Sequence, residues 1–136
     1  MAGNIRLEVV TPEASVVSED AQIVVAPGTL GEFGILIGHT PFLTTLKPGT
    51  LRYKDANGVE ECVFISGGFA EALPDKVTIL AESAERSRDI DMERVKKALK
   101  RAQERLASKK PDINYERARA ALQRALYRIR LAETRR

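Results

Sequence analysis

Glycine and proline are confined to one part of this chain. All nine glycines and five of the six prolines precede residue 75, and only Pro111 follows it. Glycine reaches positive φ freely, while proline fixes φ and removes an N–H donor. A segment rich in both is cut into short elements, and one that lacks them is free to form long helices. Charge divides near the same place. Residues 1–84 carry five Lys and Arg against eleven Asp and Glu, a balance of −6, whereas residues 85–136 carry seventeen against eight, a balance of +9. The 136 residues therefore read as two modules, 1–86 and 87–136.

The first module has the pattern of an antiparallel β-sandwich: short apolar or alternating stretches parted by turn residues at close spacing. Ile5, Leu7 and Val9 alternate with Arg6 and Glu8 before Thr11-Pro12, and Ile23–Val25 runs to Pro27-Gly28. Leu51–Lys54 leads into Asn57-Gly58, a strong hairpin signal that predicts a type I′ turn with both central residues at positive φ. Val63–Ile65, Phe69–Leu73 and Val77–Leu80 follow, parted by Gly67-Gly68 and Pro74-Asp75. Cys62 falls in one of these stretches and reads as a small core residue.

In the second module the apolar spacing changes. Met92, Val95, Leu99, Ala102 and Leu106 recur at steps of three and four, as do Ala118, Leu122, Ala125, Ile129 and Ala132. Each set is a seam along one helix face. The break at Ser108–Asp112 makes the pair an antiparallel two-helix hairpin. Alanines let the helices approach closely but bury little apolar area, so the contact between them is expected to be modest. Asp91 is positioned to cap the first helix, with Ile90 and Val95 as the flanking apolar staple.

Several classes of function are excluded. One cysteine permits no internal disulfide, and one histidine, His39, permits no Cys/His metal cage. No apolar run approaches the roughly 18 residues of a membrane span, and MAGNIRLEVV has no basic stretch followed by an apolar core. An intracellular soluble protein is expected. The glycine-rich stretches GTLGEFG (28–34) and ISGGF (65–69) lack the Lys-Ser/Thr of a phosphate loop and read as turns or bulges. Glu19-Asp20 and Glu60-Glu61 are adjacent along strands, so each pair points to opposite faces. No catalytic set emerges. The basic helices allow three readings: a solvated face, a dock for an acidic protein surface, or a nucleic-acid stripe. The last is disfavoured because Tyr115 and Tyr127 are the only aromatic residues beyond Phe69.

Three long blocks carry a specific resemblance: GEFGILIGHTPFLTTLKPG (31–49), FISGGFAEALPDKVTILAE (64–82) and AERSRDIDMERV (84–95). In order and spacing they resemble the epsilon subunit of bacterial F-type ATP synthases, whose mitochondrial counterpart is the delta subunit. The likeness spans essentially the whole chain. It implies a non-catalytic rotor-stalk subunit, peripheral to the cytoplasmic face of the bacterial inner membrane, with no required cofactor and no membrane insertion. The sandwich would bind the gamma subunit and the c-ring, with Gly31, Glu32, Gly38 and His39 in the ring-facing region beside Thr40-Pro41. The hairpin would regulate ATP hydrolysis by folding down or extending toward the catalytic alpha and beta subunits, with Lys96, Lys97 and Lys100 on its docking face.

The resemblance also implies a regulatory ATP site. Ile90-Asp91-Met92-Glu93-Arg94-Val95 matches the I/L-D-x-x-R-A motif of ATP-binding relatives except at Val95, where the motif has alanine. Glu85, Arg101, Arg124 and Arg128 match further ligand-approaching positions. Arg124 and Arg128 stand four apart, a spacing able to present two guanidinium forks to a polyphosphate.

Overall fold

The computed structural model describes residues 3–134, so residues 1–2 and 135–136 of the two expected modules lie outside the described residues. The chain divides between Arg86 and Ser87 into two compact units.

The first unit is a β-sandwich of nine strands: β1 (Ile5–Val10), β2 (Ser15–Gly28), β3 (Gly31–Ile35), β4 (Phe42–Leu46), β5 (Gly49–Asp55), β6 (Glu60–Ile65), β7 (Gly68–Ala72), β8 (Lys76–Ala81) and β9 (Ala84–Arg86). β2 is long enough to serve both layers. Its first half pairs antiparallel with β1, from Ile5↔Ala21 to Val9↔Val17. Its second half lies between β3 (Val24↔Ile35) and β5 (Val25↔Arg52). One layer continues from β1 through a parallel pairing with β8, then to β7 and β4. The other continues from β5 to β6 and β9. Between them Ile5, Leu7, Val9, Val24, Ile35, Leu51, Val63, Ile65 and Ile79 are completely buried. Arg6 on β1 is exposed, the half-buried alternation its sequence implies.

Two turns differ from expectation. Among the described residues only glycines have positive φ, so Asn57 does not, and the β5–β6 connection is not type I′. Gly58 alone takes φ +80°. Asp55 organises the loop instead: its Oδ1 accepts from the N–H groups of Asn57 and Val59, both at 2.9 Å. The GTLGEFG stretch is mostly strand, for only Thr29-Leu30 form the turn and Gly31 onward pairs with β2. Glycine weakens a strand without forbidding it, and here the paired backbone outweighs its flexibility. At Gly68, φ is +143° and an added Cβ would lie 2.0 Å from the Leu80 carbonyl oxygen.

The second unit holds a 3₁₀ turn (Ser87–Asp89) and two helices, α1 (Met92–Ala107) and α2 (Tyr115–Thr134). Asp91 caps α1, its Oδ1 accepting from Glu93 N at 3.1 Å and Arg94 N at 3.3 Å. The cap of α2 is Asn114, whose Oδ1 accepts from Arg117 N at 3.0 Å. The Tyr115 hydroxyl donates to the Ser108 carbonyl and closes the loop between the helices. The helices pack on each other, and the short loop makes them antiparallel. Val95, Ala102, Ala118, Ala125 and Ala132 of the seam are buried, while Met92, Leu99, Leu106, Leu122 and Ile129 are half-buried. Ile90 is buried as the staple implies. Leu131, one position off the seam, is buried too.

Candidate functional site

The residues singled out from the sequence separate into a sandwich set and a hairpin set. In the sandwich, the β2–β3 hairpin and the connection into β4 converge on an open cleft of about 480 Å³. Gly31, Glu32 and His39 line it, with Leu30, Phe33, Phe42 and Leu43 supplying its apolar surface. Gly38 does not line it. Gly38 instead takes φ +81° and donates its N–H to the Pro74 carbonyl at 2.6 Å, so it shapes the connection that carries His39. His39 is fixed by Nδ1 against the Thr40 carbonyl at 2.6 Å and by its ring against Phe42, 4.9 Å between centroids. Phe42 in turn meets Phe33 edge-on at 5.2 Å. All three rings line the cleft.

Glu32 is exposed and paired. Arg52 Nη2 lies 3.3 Å from both of its carboxylate oxygens, joining β5 to β3 above the intervening β2. A surface pair of this kind contributes about 0–1 kcal/mol, so it orients Glu32 more than it stabilises the fold. Beside it Leu30 stands fully in water and Leu43 is 67% exposed. Leucines so placed contribute nothing to the core and offer a surface for another molecule. No sequence signal marked Leu30 or Leu43, because each sits in an ordinary turn or strand pattern.

A second apolar stretch lies on β1, β8 and β7, where register aligns Val10 with Leu80 and Leu80 with Phe69. Leu80 and Phe69 are each about half exposed and line a shallow cleft of about 410 Å³. The sandwich thus carries two separate exposed apolar areas.

In the hairpin, Lys96, Lys97 and Lys100 are all exposed on α1. Of the residues implied for a nucleotide, Ile90 is buried, Arg94 and Arg101 are exposed, and Arg124 and Arg128 are half-buried on α2. Arg94 and Arg128 are equally distant in sequence from Pro111, which puts them at the same height of the hairpin, and Arg101 and Arg124 lie nearer the loop. Asp91 begins α1 with one carboxylate oxygen engaged by the cap. Glu85 belongs to the other unit, on β9 opposite Phe64.

The remaining titratable groups of interest are structural. Tyr53 is buried, and burial pushes its phenol well above the ordinary 10.0, reinforced by Glu19 and opposed by Arg86. Cys62 is half-buried and lies outside the core that the sequence implied for it, and burial, with Glu60 second, raises its thiol above 9.0. Among the described residues no group of His, Cys, Asp and Glu is arranged to hold a metal, and no helix is long and apolar enough to cross a membrane.

Comparison with known proteins matches both units. Residues 4–87 match the family "ATP synthase, Delta/Epsilon chain, beta-sandwich domain", and residues 88–133 match "ATP synthase, Delta/Epsilon chain, long alpha-helix domain". The chain is 62% identical to the ATP synthase epsilon chain of Desulforapulum autotrophicum over 99% of its own length and 100% of the relative's. It is 68% identical to that of Desulfatibacillum aliphaticivorans over 80% of this chain and 77% of the relative. Among solved structures, a chain of the Euglena gracilis mitochondrial ATP synthase, from its OSCP/F1/c-ring assembly, superposes with a TM-score of 0.77 at 26% identity. That likeness covers 90% of this chain and 78% of the other.

Proposed function

We propose a function from one premise: the chain belongs to the ATP synthase delta/epsilon family. It is the epsilon subunit of an F-type ATP synthase, a central-stalk component and not a catalytic one. It sits peripherally at the cytoplasmic face of the membrane and passes c-ring rotation to the catalytic head. The observation that carries the reading is the whole-length match, in which sandwich and helices together align with a named epsilon chain. The two exposed apolar areas suit two partners. The cleft around Glu32, His39 and Leu43 serves the c-ring, and the Val10–Leu80–Phe69 stretch serves the gamma subunit.

The hairpin regulates hydrolysis. Its buried seam is mostly alanine, so little apolar area holds the helices together, and its net positive charge favours an acidic surface on the catalytic alpha and beta subunits. Reversing Lys96, Lys97 and Lys100 together relieves inhibition of ATP hydrolysis in the assembled enzyme. Unchanged inhibition at matched assembly would remove this role.

ATP is the regulatory ligand, held by the hairpin through Asp91, Arg94, Arg101, Arg124 and Arg128, with Ile90 and Glu85 beside it. The half-buried Arg124 and Arg128 support this, since burial strengthens their attraction for phosphate. Binding stabilises the folded-down hairpin by mass action, so falling ATP favours extension. Isothermal titration of the full chain is expected to give heat with ATP that Arg128→Ala abolishes. No heat and no thermal shift at about millimolar ATP rejects the site. A nucleic-acid role has little support: Tyr115 is half-buried with its hydroxyl engaged, and Tyr127 lies beneath Arg130 at 5.8 Å.

A further inference from the structure

The first strand pair contains a bulge with a use elsewhere in the sandwich. β1 and β2 keep register as far as Val9↔Val17, but Val10 then faces Ser15, so Val16 is the extra residue. A bulged residue loses its place in the ladder, and its backbone groups need partners elsewhere. For the Val16 carbonyl the partner is Arg86, whose Nε donates at 3.2 Å in a part-buried setting from 70 positions away in sequence.

Arg86 is the final residue of β9 and of the sandwich unit. Its strand is only three residues long and pairs with β6 from Val63↔Arg86 to Ile65↔Ala84. So short a strand, on one pairing, belongs to the weakly held class that opens locally. The guanidinium gives it a second attachment, on β2. The positive charge also acts on the buried Tyr53 phenol, opposing the rise that burial produces there. The next residue, Ser87, belongs to the other unit. Its carbonyl accepts from Ile90 N at 3.3 Å, and the 3₁₀ turn it starts lies against α2. An anchored residue is followed at once by a segment packed with the helices.

We propose that Arg86 is a positioning residue that fixes the pivot of the hairpin at the Arg86–Ser87 junction. The inference rests on the reading of the hairpin as a movable regulatory element. With Arg86 in place, the 3₁₀ turn, Ile90 and α1 travel as one body and β9 stays with the sandwich. Without it, β9 leaves β6 and the pivot retreats to Glu82-Ser83. The longer tether lowers the effective concentration of the hairpin at its docking places.

Residue-resolved hydrogen exchange on the full chain tests the anchor. In the native protein the boundary between slow and fast amides should fall between 86 and 87. Arg86→Ala should speed residues 84–86 about tenfold, with β1, β8, α1 and α2 unchanged. Arg86→Lys, whose ammonium still reaches the carbonyl, should restore part of the protection. An unchanged boundary overturns the proposal, as does uniform acceleration across the sandwich, which marks general loss of stability. ATP hydrolysis by the assembled enzyme tests the consequence: Arg86→Ala weakens inhibition in the full chain and has no effect once residues 87–136 are deleted. A moved boundary with unchanged inhibition, where that deletion does relieve inhibition, also overturns it. If the deletion relieves nothing, the movable-hairpin reading fails and the exchange result alone decides whether Arg86 anchors β9.

Discussion

Between the sheets of the sandwich, Ile5, Leu7, Val9, Leu51, Val63 and Ile65 are completely shielded from water, whereas the helix seam buries Val95 with Ala102, Ala118, Ala125 and Ala132. Each leucine or isoleucine fully buried contributes about 1.5–3 kcal/mol, and an alanine methyl far less. Strands in two layers also join residues far apart in sequence, while a hairpin joins only neighbours across one loop. The sandwich is therefore built to keep a single shape, and the helix pair is built to be separable at low cost. The regulatory role proposed for the hairpin needs that inequality.

The sharpest attempt to break the contrast is a matched pair of substitutions. Leu7→Ala in the sandwich should cost about 2–5 kcal/mol, seen as a large fall in the urea midpoint of the β-sheet signal. Ala125→Gly in the hairpin should cost about 1 kcal/mol, the helix-propensity difference, and shift only the helical signal. Equal effects, or a single shared transition for both, would show that the units are not energetically distinct. An effect of about the size of the Ala125→Gly loss follows at the boundary. Asp91→Ala removes the α1 cap and should cost about 1 kcal/mol, with exchange rising in the first turn of α1 and nowhere in the sandwich.

The smallest effect separates the units by pH. Tyr53 binds its proton more tightly in the fold than in the unfolded chain. The native state therefore retains a proton that the unfolded chain sheds above about pH 10. Its contribution is complete below that value and lost as pH rises beyond it. Urea titrations near pH 8 and pH 11 should show the sandwich weakening, with Tyr53→Phe reducing the fall. Cys62 acts in the same direction from a lower starting point, so Cys62→Ala is the companion control.

The parts legible in the sequence were those governed by neighbours along the chain. The alternation of β1, the alanine seam, the Ile90 staple and the Asp91 cap all depend on residues a few positions apart, and each takes its expected place. In the sequence β2 shows only as Ile23–Val25, because its first half carries Ser18, Glu19, Asp20 and Gln22, polar groups that obscure the inward Val17 and Ala21. Its crossing from one layer to the other also removes any single periodicity. β3 was hidden by glycines that resemble a loop until β2 is present to pair with them. At the candidate sites, the sequence supplied the residue types around Glu32 and His39 but not the exposed Leu30 and Leu43, nor Arg52 as the partner of Glu32. Those depend on contacts across strands. The Arg86–Val16 contact is the extreme case, because no local pattern reports a hydrogen bond between the end of β9 and a bulge in β2.

The parallel seam between β1 and β8 also governs the order of events during synthesis. Arg6 through Val10 align with Lys76 through Leu80, so the opening strand waits for almost the entire sandwich before one of its two edges is occupied. Closure of that layer is a late, slow step, because distant segments must meet before any stabilisation is gained. The helices emerge afterwards and form quickly from adjacent residues. On a ribosome the helix pair would be complete within moments of its release, while the sandwich made before it is still sealing its last edge.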